Sequence, residues 1–175
     1  MDALLIVDMQ VGLLGGDPKH DLPGVIDRIN RLAAHVRAQS GIVIFIQHCG
    51  DTGDDFEPQT PGWELLPEFI RDPADVVVQK KLNDPFAGGE LQARLDRIAP
   101  DRVLVTGWAT DLCVDATVRS AVSNLHNVVV VTDAHTLGDR PHLDATSVMR
   151  HHHWVWSHLI TAKSIRLAAT DELLM

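Results

Sequence analysis

Short apolar runs alternate along the chain with stretches in which apolar residues recur every three or four positions. The runs at residues 3–7, 42–46, 76–78, 103–106 and 128–132 are rich in Val and Ile, and most are apolar throughout. Continuous rather than alternating apolarity predicts strands covered on both faces, as in a parallel sheet. Between them, Val25, Ile29, Leu32, Ala33 and Val36 share one helical face, and Gly41 follows as a stop. Leu91, Leu95 and Ile98 form a second stripe closed by Pro100, Val114, Val118 and Val122 a third, and residues 143–154 a fourth. The β-α alternation predicts an α/β fold, a three-layer α/β/α sandwich, in one domain spanning residues 1–175. No internal repeat or low-complexity tract interrupts it, and residues 48–62 make the largest irregular loop.

Folds of this kind bind ligands beyond the carboxyl ends of their strands, so the residues just after each apolar run matter most. The first run leads to Asp8 and Gln10, the second to Gln47 and His48, and the third to Lys80 and Lys81. The fourth leads through Gly107, Trp108, Ala109, Thr110 and Asp111 to Cys113, and the fifth to Asp133. A carboxylate, a lysine and a cysteine therefore converge on one rim. Cys113 falls at the start of a predicted helix, where unpaired backbone N–H groups, the helix dipole and a nearby lysine favour a thiolate. Each residue also has a plain structural use. Cys113 fits as a small buried hydrophobe, Asp8 as a loop cap, and either lysine as a solvated strand end.

Composition narrows the choice of partner. With 15 basic against 24 acidic side chains the formal net charge is −9, which repels phosphate backbones and anionic lipid. A small-molecule substrate is expected rather than nucleic acid or a membrane surface. Two cysteines, Cys49 and Cys113, cannot build a disulfide framework, and no apolar run reaches the ~20 residues of a membrane helix. Together with an N-terminus lacking a basic leader, this predicts a cytoplasmic protein. The run His151, His152 and His153 invites a metal reading, but on a helix successive side chains diverge by ~100° and cannot all face one ion. The glycines of residues 12–16 miss the spacing of a dinucleotide-binding turn.

Four segments together resemble the isochorismatase-like cysteine hydrolases, a superfamily that includes nicotinamidases, N-carbamoylsarcosine amidohydrolase and isochorismatases. The sequence ALLIVDMQ at residues 3–10 is similar to the family's strand ending in Asp-x-Gln, and VVVQKKLNDPF at 76–86 to its strand, lysine and downstream phenylalanine. The sequence GWATDLCV at 107–114 is similar to its nucleophile turn, and VVVTDA at 129–134 to its next strand. The resemblance implies a parallel sheet of about six strands in a Rossmann-like arrangement. It also implies a triad of Asp8, Lys80 and Cys113, with Lys80 preferred to Lys81 because it stands six positions before Phe86.

The activity implied by that resemblance is amide or carbamoyl hydrolysis through a thioester. Backbone N–H groups of Ala109 and Cys113 would hold the oxyanion, with a cis peptide between Trp108 and Ala109. Gln10, His48, Trp108 and Asp133 would line the substrate pocket, and a dimer or tetramer is expected. Nicotinamidases carry a metal on an Asp-x-His pair after the second strand. Here that stretch reads His48-Cys49-Gly50-Asp51, so neither a metal nor another cofactor is expected. Two other functions compete: vinyl ether hydrolysis of the isochorismatase type, which leaves Cys113 without a task, and a non-catalytic binding domain.

Overall fold

The structure is a computed structural model that describes residues 1–175. In chain order its elements are β1 (Asp2–Val7), α1 (Val11–Leu14), α2 (Leu22–Ala38), β2 (Ile42–His48), β3 (Val76–Lys80) and α3 (Glu90–Ile98). There follow β4 (Arg102–Trp108), a π-helical turn at Thr110–Val114, α4 (Asp115–Ser123), β5 (Val128–Thr136), α5 (Ala145–Ser157), β6 (Ile165–Ala168) and α6 (Thr170–Leu173). All six strands are parallel, in the order β3-β2-β1-β4-β5-β6.

The five predicted strands are present, and β1, the most central with β4, is apolar and buried from Ala3 to Val7. Its side chains alternate between two cores. Ala3, Leu5 and Val7 join Leu91 and Leu95 of α3, Val118 and Ala121 of α4, and Trp156 of α5 on one face. Leu4 and Ile6 meet Val25, Ile29, Leu32 and Val36 of α2 on the other. Coverage of both faces is why these strands carry no polar side. The sequence pattern did not reveal β6, whose residues Ile165, Arg166, Leu167 and Ala168 alternate at the sheet edge, nor the four-residue helices α1 and α6. Of the two tryptophans near the end of α5, Trp156 is core and Trp154 is exposed. No helix is long and apolar enough to cross a membrane.

This strand order reverses direction between β1 and β4. In doubly wound sheets the connections on the two sides of such a point leave in opposite directions, and a crevice opens at the carboxyl ends. Asp8 follows β1 and the cysteine turn follows β4, so both stand at that crevice.

Candidate active site

Asp8 leaves the end of β1 in the left-handed region, at φ 49°, a conformation that Asp tolerates better than most residues. Its N–H still bonds Ile46 O at 2.9 Å, extending the pairing with β2 by one residue. The adjoining register sets His48 of β2 beside Lys80 of β3. Lys80 needs its whole length to reach back across β2, and it does so within the protein, with its side chain only 4% exposed. Nζ lies 2.7 Å from Asp8 Oδ2 and 3.5 Å from Cys113 Sγ. Lys81 points the other way, to Asp51 at 3.0 Å, and is exposed. The lysine brought to the cysteine is thus Lys80.

Cys113 does not lie in the first turn of a regular helix. It sits in the wide turn before α4, half-buried against the core shared by α3, α4 and α5. Ala109 O accepts from the N–H groups of Leu112 at 3.0 Å and Val114 at 3.1 Å, which closes the turn around Cys113. Thr117 Oγ1 donates to Cys113 O at 2.6 Å, and Arg140 holds Asp111 by two bonds of 2.7 and 2.6 Å. The Trp108–Ala109 peptide is cis, and the N–H of the fully buried Ala109 has no backbone or side-chain acceptor in the protein. Asn83, from the exposed segment after β3, places Oδ1 3.6 Å from Sγ. No pattern in the sequence marks this residue, because its position depends on how residues 81–85 turn back from β3.

The electrostatics correct the expected thiolate. Burial, then the Asp8 carboxylate, push the Cys113 thiol up to about 12, and Lys80 only partly opposes them. Burial likewise raises Asp8 above the ordinary carboxylate value, against the pull of the Lys80 charge. Asp8 Oδ1 is buried and without a hydrogen-bond partner. Buried carboxylate oxygens are normally satisfied, so this orphan is an acceptor left open in the site.

The four residues expected to line a pocket fare differently. His48 lies beside Lys80 in the sheet register: its ring packs on Phe56 at 5.8 Å between centroids, and burial and the Lys80 charge hold it below the usual imidazole range. Gln10 is instead a tether. Its amide bonds His48 O at 3.0 Å, Trp63 O at 2.8 Å and His48 N at 2.8 Å, which uses its groups on the backbone of β2 and the following loop. Asp133 faces the α2 and α6 side, where Oδ1 accepts from Thr170 N at 2.9 Å and Thr170 Oγ1 at 2.8 Å. It caps the start of α6, because alternation along β5 turns it away from Cys113. Trp108 packs on that same side of the sheet, under the Lys19 ammonium at 5.4 Å, and lines a cleft of about 380 Å³ with Leu13, Asp17 and Asp139. A different cleft of about 360 Å³ opens beside Lys80, between Cys49, Lys81, Leu82 and Asp84. No three His, Cys, Asp or Glu side chains are grouped so as to hold a metal ion.

The model of the isochorismatase domain matches residues 2–162. A streptothricin hydrolase of Streptomyces noursei is 36% identical over 142 residues, covering 81% of this chain and 51% of that protein. A ureidoacrylate amidohydrolase of Variovorax paradoxus (strain S110) is 28% identical over 174 residues, covering 78% of this chain and 69% of the relative. The chain spans about half the length of the streptothricin hydrolases it matches. A crystal structure of an isochorismatase family protein superposes with a TM-score of 0.86 at 25% identity, over 96% of this chain and 98% of the other.

Proposed function

The chain belongs to the isochorismatase family of hydrolases, and from that premise we propose that it hydrolyses a small amide or carbamoyl substrate through a Cys113 thioester. The observation that carries this reading is the buried line from Cys113 Sγ to Lys80 Nζ to Asp8 Oδ2, with Asp8 Oδ1 left unsatisfied. Amide hydrolysis also accords with relatives named streptothricin hydrolase and ureidoacrylate amidohydrolase.

The chemistry follows from the protonation states. As Sγ attacks the carbonyl carbon, the thiol proton passes to the Asp8 carboxylate, and Lys80 stabilises the negative charge that builds on sulfur. The carbonyl oxygen, becoming an oxyanion, is held by the N–H of Ala109 and that of Cys113. Collapse breaks the C–N bond, and protonated Asp8 returns its proton to the departing nitrogen, leaving a thioester. Asp8, ionised again, takes a proton from water as the water oxygen attacks the thioester, and then delivers it to the leaving sulfur. Acid product and neutral thiol result. Each step uses one group in both directions, which suits a carboxylate whose affinity for protons is raised by burial.

The test is a panel of amides and carbamoyl compounds screened for ammonia or amine release, with intact mass recorded during turnover. An acyl adduct that maps to Cys113, and loss of release in Cys113→Ala, are the expected results. Full amine release by Cys113→Ala would remove the thioester from this reading, whereas no release from any amide, with Cys113→Ala still cleaving an enol ether, would replace it with acid-catalysed vinyl ether hydrolysis by Asp8.

A further inference from the structure

His135 on β5 has no exposed surface, and the catalytic chemistry leaves it without a task. A buried imidazole is costly unless its ring nitrogens find partners. Both do: Nδ1 lies 2.8 Å from Thr110 Oγ1, and Nε2 lies 2.9 Å from Nε2 of His153 on α5. Trp156 packs edge-on against the ring at 5.3 Å, and its own indole N–H donates to Asp115 Oδ1 at 2.8 Å. Burial first, then the neighbouring His153 and His152, push His135 down to about 3, and burial also lowers His153. At 2.9 Å one Nε2 must donate and the other accept, so the two rings cannot both carry a proton on that nitrogen.

Thr110 is the first residue of the turn that carries Cys113, and that turn has no side-chain cap at its start. The peptide joining Ala109 to Thr110 contains the carbonyl that bonds the N–H groups on either side of Cys113. Anchoring the Thr110 side chain anchors that peptide. We propose that His135, braced by His153, is a positioning residue for the nucleophile: by holding Thr110 it keeps the Cys113 turn in register with Lys80 and Asp8. This rests on the reading of Cys113 as the nucleophile.

The measurement needs no substrate. The full chain is treated with iodoacetamide, and the rate of alkylation at Cys113 is followed by peptide mapping, with circular dichroism and melting temperature recorded for each variant. Thr110→Val removes the hydroxyl at similar volume, and Thr110→Ser restores it. An Asn side chain at 135 reaches Thr110 as Nδ1 does, whereas a Gln side chain reaches only the His153 side. Thr110→Val and His135→Gln are expected to slow alkylation at least about tenfold, and Thr110→Ser and His135→Asn to stay within about threefold of wild type. Once a substrate is known, kcat should follow the same pattern with KM unchanged. A folded Thr110→Val that is alkylated at the wild-type rate would overturn the proposal. So would equal losses in all four variants that track melting temperature, which would make the pair core packing alone. If the His135 variants do not fold, the two Thr110 variants decide. Should Cys113→Ala retain turnover while this alkylation pattern holds, the positioning role stands and the nucleophile reading falls.

Discussion

In the proposed mechanism Cys113, Lys80 and Asp8 each depend on the other two. The thiol is held neutral by burial and by the carboxylate, and the lysine charge is buried only because Asp8 accepts it at 2.7 Å. Removing one member should therefore cost about as much as removing the unit. Asp8→Asn is expected to abolish turnover and Lys80→Ala to lower kcat at least ~100-fold, while Lys81→Ala, whose charge meets only the exposed Asp51, should stay within about twofold. Steady-state kinetics on the four proteins checks this, and a damaging Lys81→Ala would mean that the wrong lysine has been assigned. The raised Asp8 also fixes the sign of a pH effect. Its ionised, proton-accepting form is present above its shifted value and lost as pH falls through it. Alkylation of Cys113 should therefore rise in a step above the ordinary Asp value of 3.8, then stay level through the region near ~8.5 where a free thiol ionises. A single step centred on the free-thiol value would show that Asp8 is not the base.

At the scale of elements, the end of β4 is where close packing and chemistry meet. Gly107 pairs with Val7 of β1 at φ 115°, and a Cβ there would lie 2.6 Å from Val7 N and closer still to Val7 O. Those neighbours are backbone of the most buried strand and cannot move aside. Gly107→Ala should thus cost roughly 3 kcal/mol or more, from positive φ and overpacking together. Urea denaturation measures it, and a variant as stable as wild type would contradict the close approach of β1 and β4. The same strand end explains why the sequence places Cys113 at the start of a helix when it lies in a π-helical turn before α4. The chain must pass from a buried strand into α4 within a few residues, and the widened turn is closed by Ala109 O, an acceptor that no side-chain pattern marks.

For the whole molecule, the sheet is the wall between two cores, and neighbouring residues of β1 serve opposite sides. Leu4 and Leu5 are both fully buried, Leu4 toward α2 and Leu5 toward α3, α4 and α5. Leu4→Ala and Leu5→Ala should each destabilise by ~2–5 kcal/mol. Because both layers rest on one sheet, either change should shift a single transition seen alike by far-ultraviolet circular dichroism and by tryptophan fluorescence. Separate shifts of the two probes would mean that the layers unfold independently.

The sequence by itself determined the chain order of the five longer strands and four longer helices, the parallel sheet, and the rim shared by Asp8, a lysine at 80 or 81, and Cys113, with the resemblance choosing Lys80. Those have local causes: β-branched runs with no polar face, helical stripes three and four apart, and strand ends that fall at the ligand side of a doubly wound sheet. The edge strand β6 escaped because half its residues face solvent and its run is only four long. Tertiary structure alone decided the use of each polar side chain. Gln10 and Asp133 stand in the right places on the chain for a pocket, yet their hydrogen-bonding groups are taken by Trp63, His48 and Thr170, partners 37 to 53 residues away. His135 looks like any strand residue until β5, the cysteine turn and α5 are packed together, and the thiol's proton affinity depends on burial and on a carboxylate from another strand. Backbone form is set by short-range sterics and apolar pattern, which a sequence carries within a dozen residues. The bonding and charge of a buried polar group are set by whatever distant atoms replace its water, and only the folded chain says which those are.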